Sequence, residues 1–374
     1  MDGEKLEVKG QNLFESGRYE EALKTFNKLT ELEPENFRAR GYRGMVLNEM
    51  DQQDEALAAF NRALEINPEN IPLQYKKTNL LAELGKTEAA LRTFKKAVQL
   101  SAAEEGPEPS RQGIFGSADL GDAIKTRKTV EELEPEEARG WILKGDIFSL
   151  TDQPEAALEA YRRATRLEPE NPEALVRQGE ELLYLERYQE GLETFKKVSR
   201  LEPDLAEAWL GRGKALAMLD RLEDAYEAFN KVTELNPDDP EGWYLKGLSL
   251  METEEFADSI SAFDRATELS PEHFEAWNHK AAAFGRLGRN GDAARAYERA
   301  AEINPKNYTV RFNQGVFLAA LERYEEAVVA FQEAIELAPG EAETWYRKAA
   351  ALEELGKDEE AREAYRKAEK LEET

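Results

Sequence analysis

Apolar and polar positions recur along this chain with two nested periods. Within Ala206–Asp239 (AEAWLGRGKALAMLDRLEDAYEAFNKVTELNPDD), Trp209, Arg212, Gly213 and Leu216 fall at positions 4, 7, 8 and 11. Ala225, Phe229, Val232 and Leu235 fall at positions 20, 24, 27 and 30. Both sets have the i, i+3, i+4, i+7 spacing of one face of an α-helix. The stretch therefore predicts two short amphipathic helices joined by a tight turn. Small residues at positions 8 and 20 let the helix axes approach. The aromatics at 4 and 24 are expected to supply buried area, roughly 150–250 Å² each. Pro237, at position 32, disfavours the helical conformation of the residue before it and ends the second helix.

The longer period is 34 residues. Prolines at position 32 are Pro34, Pro68, Pro135, Pro169, Pro203, Pro237, Pro271, Pro305 and Pro339. Position 8 is glycine in Gly10, Gly44, Gly145, Gly179, Gly213, Gly247 and Gly315. Position 24 is aromatic from Phe26 to Tyr365, and position 20 is mostly alanine. A helix–turn–helix unit of this length, with these small residues, aromatics and proline, resembles the tetratricopeptide repeat. The resemblance covers nearly the whole chain as about eleven units. It implies an all-α fold, an α-solenoid wound as a right-handed superhelix of tandem helix–turn–helix repeats.

The pattern fails once. Residues 3–100 read as repeats 1–3, residues 101–137 as a degenerate repeat or joint, and residues 138–374 as repeats 5–11. In Ser101–Ser117 (SAAEEGPEPSRQGIFGS), Gly106, Pro107, Pro109, Gly113 and Gly116 stand where a first helix is expected and oppose one. The second helix is expected to survive over Ala118–Leu133, with Arg127 in place of the usual aromatic. A distorted repeat in a continuous superhelix and a flexible joint between two arms both remain open.

Composition narrows the function classes. The chain of 374 residues has no cysteine, which excludes disulfides, thiolate chemistry and cysteine-held metals. Its N-terminus, MDGEKLEVKG, lacks the apolar run of a signal peptide, and no stretch is apolar enough for a membrane span. A cytoplasmic protein is expected. The net charge is −27. Residues 1–100 hold 17 acids against 15 bases, so residues 101–374 carry −25 of it. Such a surface disfavours nucleic acid and anionic lipid and suits solubility or a basic partner.

The resemblance implies that the first helices line a concave face that binds peptides or proteins. Positions 2, 5, 9, 12 and 13 form a second stripe on those helices. Its expected partner-binding members are Tyr184, Leu210, Lys214, Tyr244, Leu248, Met251, Asn278, Phe312, Val316 and Tyr346. Tyr75, Ile142, Val176, Leu183, Met218, Asn79, Asp146, Glu180 and Arg286 lie on the same stripe. An apolar peptide groove and simple packing between adjacent first helices both account for it. One subfamily grips a C-terminal carboxylate with lysine, asparagine and arginine on three successive first helices. Here Asn278, Asn313 and Arg347 match it partly, whereas Ala282 and Glu343 do not. The two histidines, His273 and His279, have no nucleophile or metal-ligand set around them and read as surface residues. No catalytic residue, metal site or cofactor is expected. The expected function is a non-enzymatic scaffold. A self-assembling homo-oligomeric protein, or a regulatory subunit of an enzyme on another chain, is the alternative.

Overall fold

The computed structural model describes residues 3–104 and 118–373, which form twenty-one helices and, among the described residues, no strand. In order they are α1 (Gly3–Glu15), α2 (Tyr19–Leu32), α3 (Phe37–Glu49), α4 (Gln53–Ile66), α5 (Ile71–Glu83), α6 (Thr87–Glu104) and α7 (Ala118–Glu132). Then come α8 (Ala138–Leu150), α9 (Pro154–Leu167), α10 (Pro172–Tyr184), α11 (Tyr188–Leu201), α12 (Ala206–Met218), α13 (Leu222–Leu235) and α14 (Pro240–Glu252). The last are α15 (Phe256–Leu269), α16 (Phe274–Arg286), α17 (Asn290–Ile303), α18 (Tyr308–Ala319), α19 (Tyr324–Leu337), α20 (Ala342–Glu354) and α21 (Asp358–Glu372). Contacts divide the chain into an N-terminal unit, Met1–Arg187, and a C-terminal unit, Tyr188–Thr374. Within each, paired helices stack as the all-α solenoid expected from the repeat.

Local chemistry sets each helix pair. Among the described residues, position 15 takes a left-handed backbone in all ten regular repeats. Gly17, Gly85, Gly288 and Gly356 do so at φ of 68–72°, and Asp51, Asp152, Glu186, Asp220, Glu254 and Glu322 at 55–62°. The next amide turns back to the helix, as Arg221 N does to the Leu216 carbonyl at 3.0 Å. This is a Schellman ending, which satisfies carbonyls that the helix itself leaves open. Most first helices also begin on a capping side chain. Asn36, Asn70, Asn171 and Asn307 each accept the backbone N–H three residues on, at 2.9–3.1 Å.

Packing follows from the small residues. A Cβ on Gly213 would sit 2.5 Å from the Phe229 ring, and one on Gly145 would sit 2.4 Å from Tyr161. The position-24 ring thus fills the space that position 8 leaves. Phe26, Phe60, Tyr161, Phe195, Phe229, Phe263 and Phe331 are all fully buried by it. The first helix has a second buried stripe facing the preceding repeat. On α12 this is Ala208, Gly211 and Ala215, and a Cβ on Gly211 would meet Phe195 of α11 at 2.2 Å. The first helix is therefore held between two second helices. Of the five tryptophans at position 4, Trp141 is buried in the core, and the other four are at its edge. Trp209, Trp243, Trp277 and Trp345 are half-buried and donate Nε1–H to the carbonyl of the preceding position-32 proline at 2.8–3.2 Å. The basic residue at position 7 covers each ring: Arg212, Lys246, Lys280 and Lys348 lie 4.2–5.6 Å from the ring centroids.

The irregular region has its own arrangement. Of Ser101–Ser117, residues 101–104 extend α6 and the rest lies outside the described residues. The helix expected at Ala118–Leu133 is present as α7, but it packs on α5, while α8 packs directly on α6. Arg127 is exposed and pairs with Glu131 one turn on, so it supplies no ring for a first helix to cover. Val130 is the buried anchor instead, in a cluster with Leu91, Phe94 and Ile147. Lys144 of α8 clamps the end of α7, donating to the carbonyls of Glu131 at 2.9 Å and Leu133 at 2.6 Å.

Candidate functional site: the first-helix face

Nine of the ten expected partner-binding residues lie in the C-terminal unit, on first helices, and all nine are half-buried. Leu210 and Lys214 stand on α12, and the Lys214 ammonium lies 3.7 Å from Glu241 in the first turn of α14. Tyr244, Leu248 and Met251 share α14. The Tyr244 ring lies 6.1 Å from Phe263, 4.8 Å from His273 in the turn before α16, and 5.7 Å from His279 on α16. Burial, helped by the Glu275 and Glu241 carboxylates, pushes its hydroxyl up to about 12. Met251 packs against the core cluster built from α16 and α17.

Asn278 stands half-buried on α16. On α18, Phe312 lies 5.9 Å from Tyr308 and 6.0 Å from Phe331, and Val316 joins the same cluster. Tyr346 of α20 lies 6.2 Å from Tyr365 and donates its hydroxyl to Glu372 at 2.9 Å. Each aromatic thus rests on its own repeat and stays partly exposed, and Tyr244 also meets the imidazoles of His273 and His279. Tyr184 differs. It belongs to the N-terminal unit, is 67% exposed and is bonded to Asp152 at 3.3 Å.

Several expectations need correction. Ile142, placed on the open stripe by its position, is 3% exposed and belongs to a core cluster with Trp141 and Tyr161. His273 is no surface residue. Its side chain is 15% exposed, and it accepts the Ala276 N–H at the start of α16 at 3.4 Å. Its neighbour His279 holds the Glu275 carbonyl at 2.8 Å. The partial carboxylate-clamp residues are engaged locally. Asn313 donates to the Tyr297 hydroxyl at 3.4 Å, and Arg347 pairs with Glu343 on its own helix at 2.7 Å. Among the described residues no group of three or more His, Cys, Asp or Glu could hold a metal ion. No described helix is long and apolar enough to cross a membrane.

Comparison with known proteins agrees with this geometry. One tetratricopeptide-repeat family model matches residues 8–71, 176–240, 244–308 and 280–342, more than half of the chain. Two further models of the same repeat match residues 138–171 and 330–363. No curated protein matches. Among solved structures, YrrB, described as a TPR protein with an unusual peptide-binding site, is 21% identical with a TM-score of 0.45. The match covers 49% of this chain and 94% of that one. MamA from Desulfovibrio magneticus RS-1 is 25% identical with a TM-score of 0.44, over 46% of this chain and 98% of that one. The regular alternation of helices, the glycine-under-ring packing and the matched family models lead to one conclusion: the chain belongs to the tetratricopeptide repeat family.

Proposed function

We propose that this protein is a non-catalytic scaffold whose first-helix face in the C-terminal unit holds an extended or helical segment of a protein partner. The family's general role as a protein-interaction scaffold supports the class. The observation that carries the finer reading is the row of half-covered side chains on successive first helices. Tyr244, Leu248, Met251, Phe312, Val316 and Tyr346 are each half-buried, so part of each ring or chain stays exposed beside the packed core. Burying such a row in a partner releases about 25 cal/mol per Å² of apolar surface. Lys214 and Asn278 supply polar groups beside it.

The test is capture from a native lysate by the intact chain and by a variant with Tyr244, Phe312 and Tyr346 changed to alanine. Circular dichroism confirms that the variant stays folded. A protein held by the intact chain and lost by the variant supports the groove. Equal capture by both removes it. Dimers in light scattering with no captured protein favour the self-assembling reading, and a bound enzyme whose rate changes with the chain present favours a regulatory subunit.

A further inference from the structure

The N-terminal unit contains a cavity of about 490 Å³ among α6, α8, α9 and α10. Its floor is an ion network. Asp146 is 8% exposed. It receives the Lys95 ammonium at 2.5 Å and the Tyr161 hydroxyl at 2.8 Å, with the Arg177 guanidinium 3.6 Å away. Arg177 also holds Glu180 at 3.2 Å. These carboxylates are compensated.

Glu181, on the same wall, is not compensated. It is 6% exposed, and its hydrogen-bond partner is the Ser149 hydroxyl. Its charged neighbours are Glu180 and Glu155, so burial and like charge together raise its pKa. A buried carboxylate costs several kcal/mol when no cation faces it. Asp152 lines the same cavity with one bond, from the Tyr184 hydroxyl, and the Tyr184 ring stands largely free at the mouth. The lining carries four acids (Asp146, Asp152, Glu180 and Glu181) against two bases, Lys95 and Arg177.

We propose that this cavity takes the cationic side chain, arginine or lysine, of a basic segment in a protein partner. The incoming charge sits against Glu181 and Asp152, and the Tyr184 ring covers it from the mouth. The strongly acidic C-terminal three quarters of the chain draw such a segment in. The inference rests on the interaction-scaffold reading and adds a second, chemically distinct subsite to it.

The test uses the full chain and a short labelled arginine–glycine–serine peptide, read by fluorescence anisotropy at about 150 mM salt, where exposed charges are screened beyond roughly 8 Å. Peptides with citrulline, lysine or glutamate replacing arginine are run beside it. The arginine and lysine peptides should bind saturably, and the citrulline and glutamate peptides should not. Glu181→Gln should weaken arginine-peptide binding at least about tenfold, whereas Glu170→Gln, at an exposed site in the same unit, should change it less than about twofold. Glu181→Gln should also melt higher than the parent at neutral pH, and this advantage should shrink as pH falls and the parent's carboxyl protonates. Loss of binding in a more stable protein cannot be unfolding. Equal weakening by both substitutions would reduce the effect to diffuse attraction and overturn the proposal, as would no saturable binding. The triple alanine variant of the C-terminal unit should keep the peptide, so failure of that groove and failure of this cavity are separate results.

Discussion

Phe229 and Tyr244 show how differently two aromatics in one repeat family are used. Phe229 fills the space over Gly213 and is 2% exposed. Phe229→Ala should therefore cost roughly 3–5 kcal/mol, because the cavity cannot collapse against a neighbouring backbone. Tyr244 is half-buried, with Phe263, His273 and His279 around its ring. Tyr244→Ala should cost about 1–2 kcal/mol. Urea unfolding of both variants checks the pair, and equal losses would mean that Tyr244 is a core residue. Position-24 rings were legible from spacing alone, because small and aromatic residues alternate in register. Among the position-4 tryptophans, Trp141 joins the core as its spacing predicts, whereas Trp209, Trp243, Trp277 and Trp345 do not. Their spacing is that of the buried face, but the prolyl carbonyl and the position-7 cation hold them at its edge.

At the scale of the element, the turn at position 15 is the joint on which every helix pair closes. Four repeats place glycine there, and six place aspartate or glutamate in the same left-handed backbone. A side chain costs about 1–2 kcal/mol in that conformation. Part of this is offset because glycine loses more freedom on folding. Glu254→Gly and Glu322→Gly should each stabilise the protein by about 0.5–1 kcal/mol. The same change at Glu227, inside α13, should destabilise it by about 1 kcal/mol. Thermal melts of the three variants settle the sign. The element that departs from the pattern, α7, does so for a reason visible in its residues. Without a ring at Arg127 it has nothing to set over a first-helix glycine, and Val130 anchors it on the cluster shared with α6 and α8 instead.

At the scale of the whole molecule, charge and repetition dominate. Many surface ion pairs join residues three or four apart, as in Arg221–Asp224, Arg299–Glu302 and Arg323–Glu326. Each contributes about 0–1 kcal/mol and weakens with salt. Against them stands an excess of 27 acids over bases, 77 against 50, whose mutual repulsion also weakens with salt. Repulsion is the larger effect, so the melting temperature should rise by a few degrees as salt goes from about 10 to about 150 mM. A flat or falling curve by circular dichroism would mean that the ion pairs dominate. The sequence alone determined the helix pairs, their period, the proline endings and the register of small and aromatic residues, because each is written within about 34 residues and repeats many times. It also named the first-helix stripe of the C-terminal unit. Tertiary structure decided which of the two buried faces of a first helix each residue joins, since that helix lies between two partners and a single periodicity reports one face. It alone set α8 on α6 and α7 on α5. It alone brought Lys95 to Asp146 across 51 residues, leaving Glu181 buried without a cation. Charge compensation depends on distance in space, and no local spacing in the chain records it.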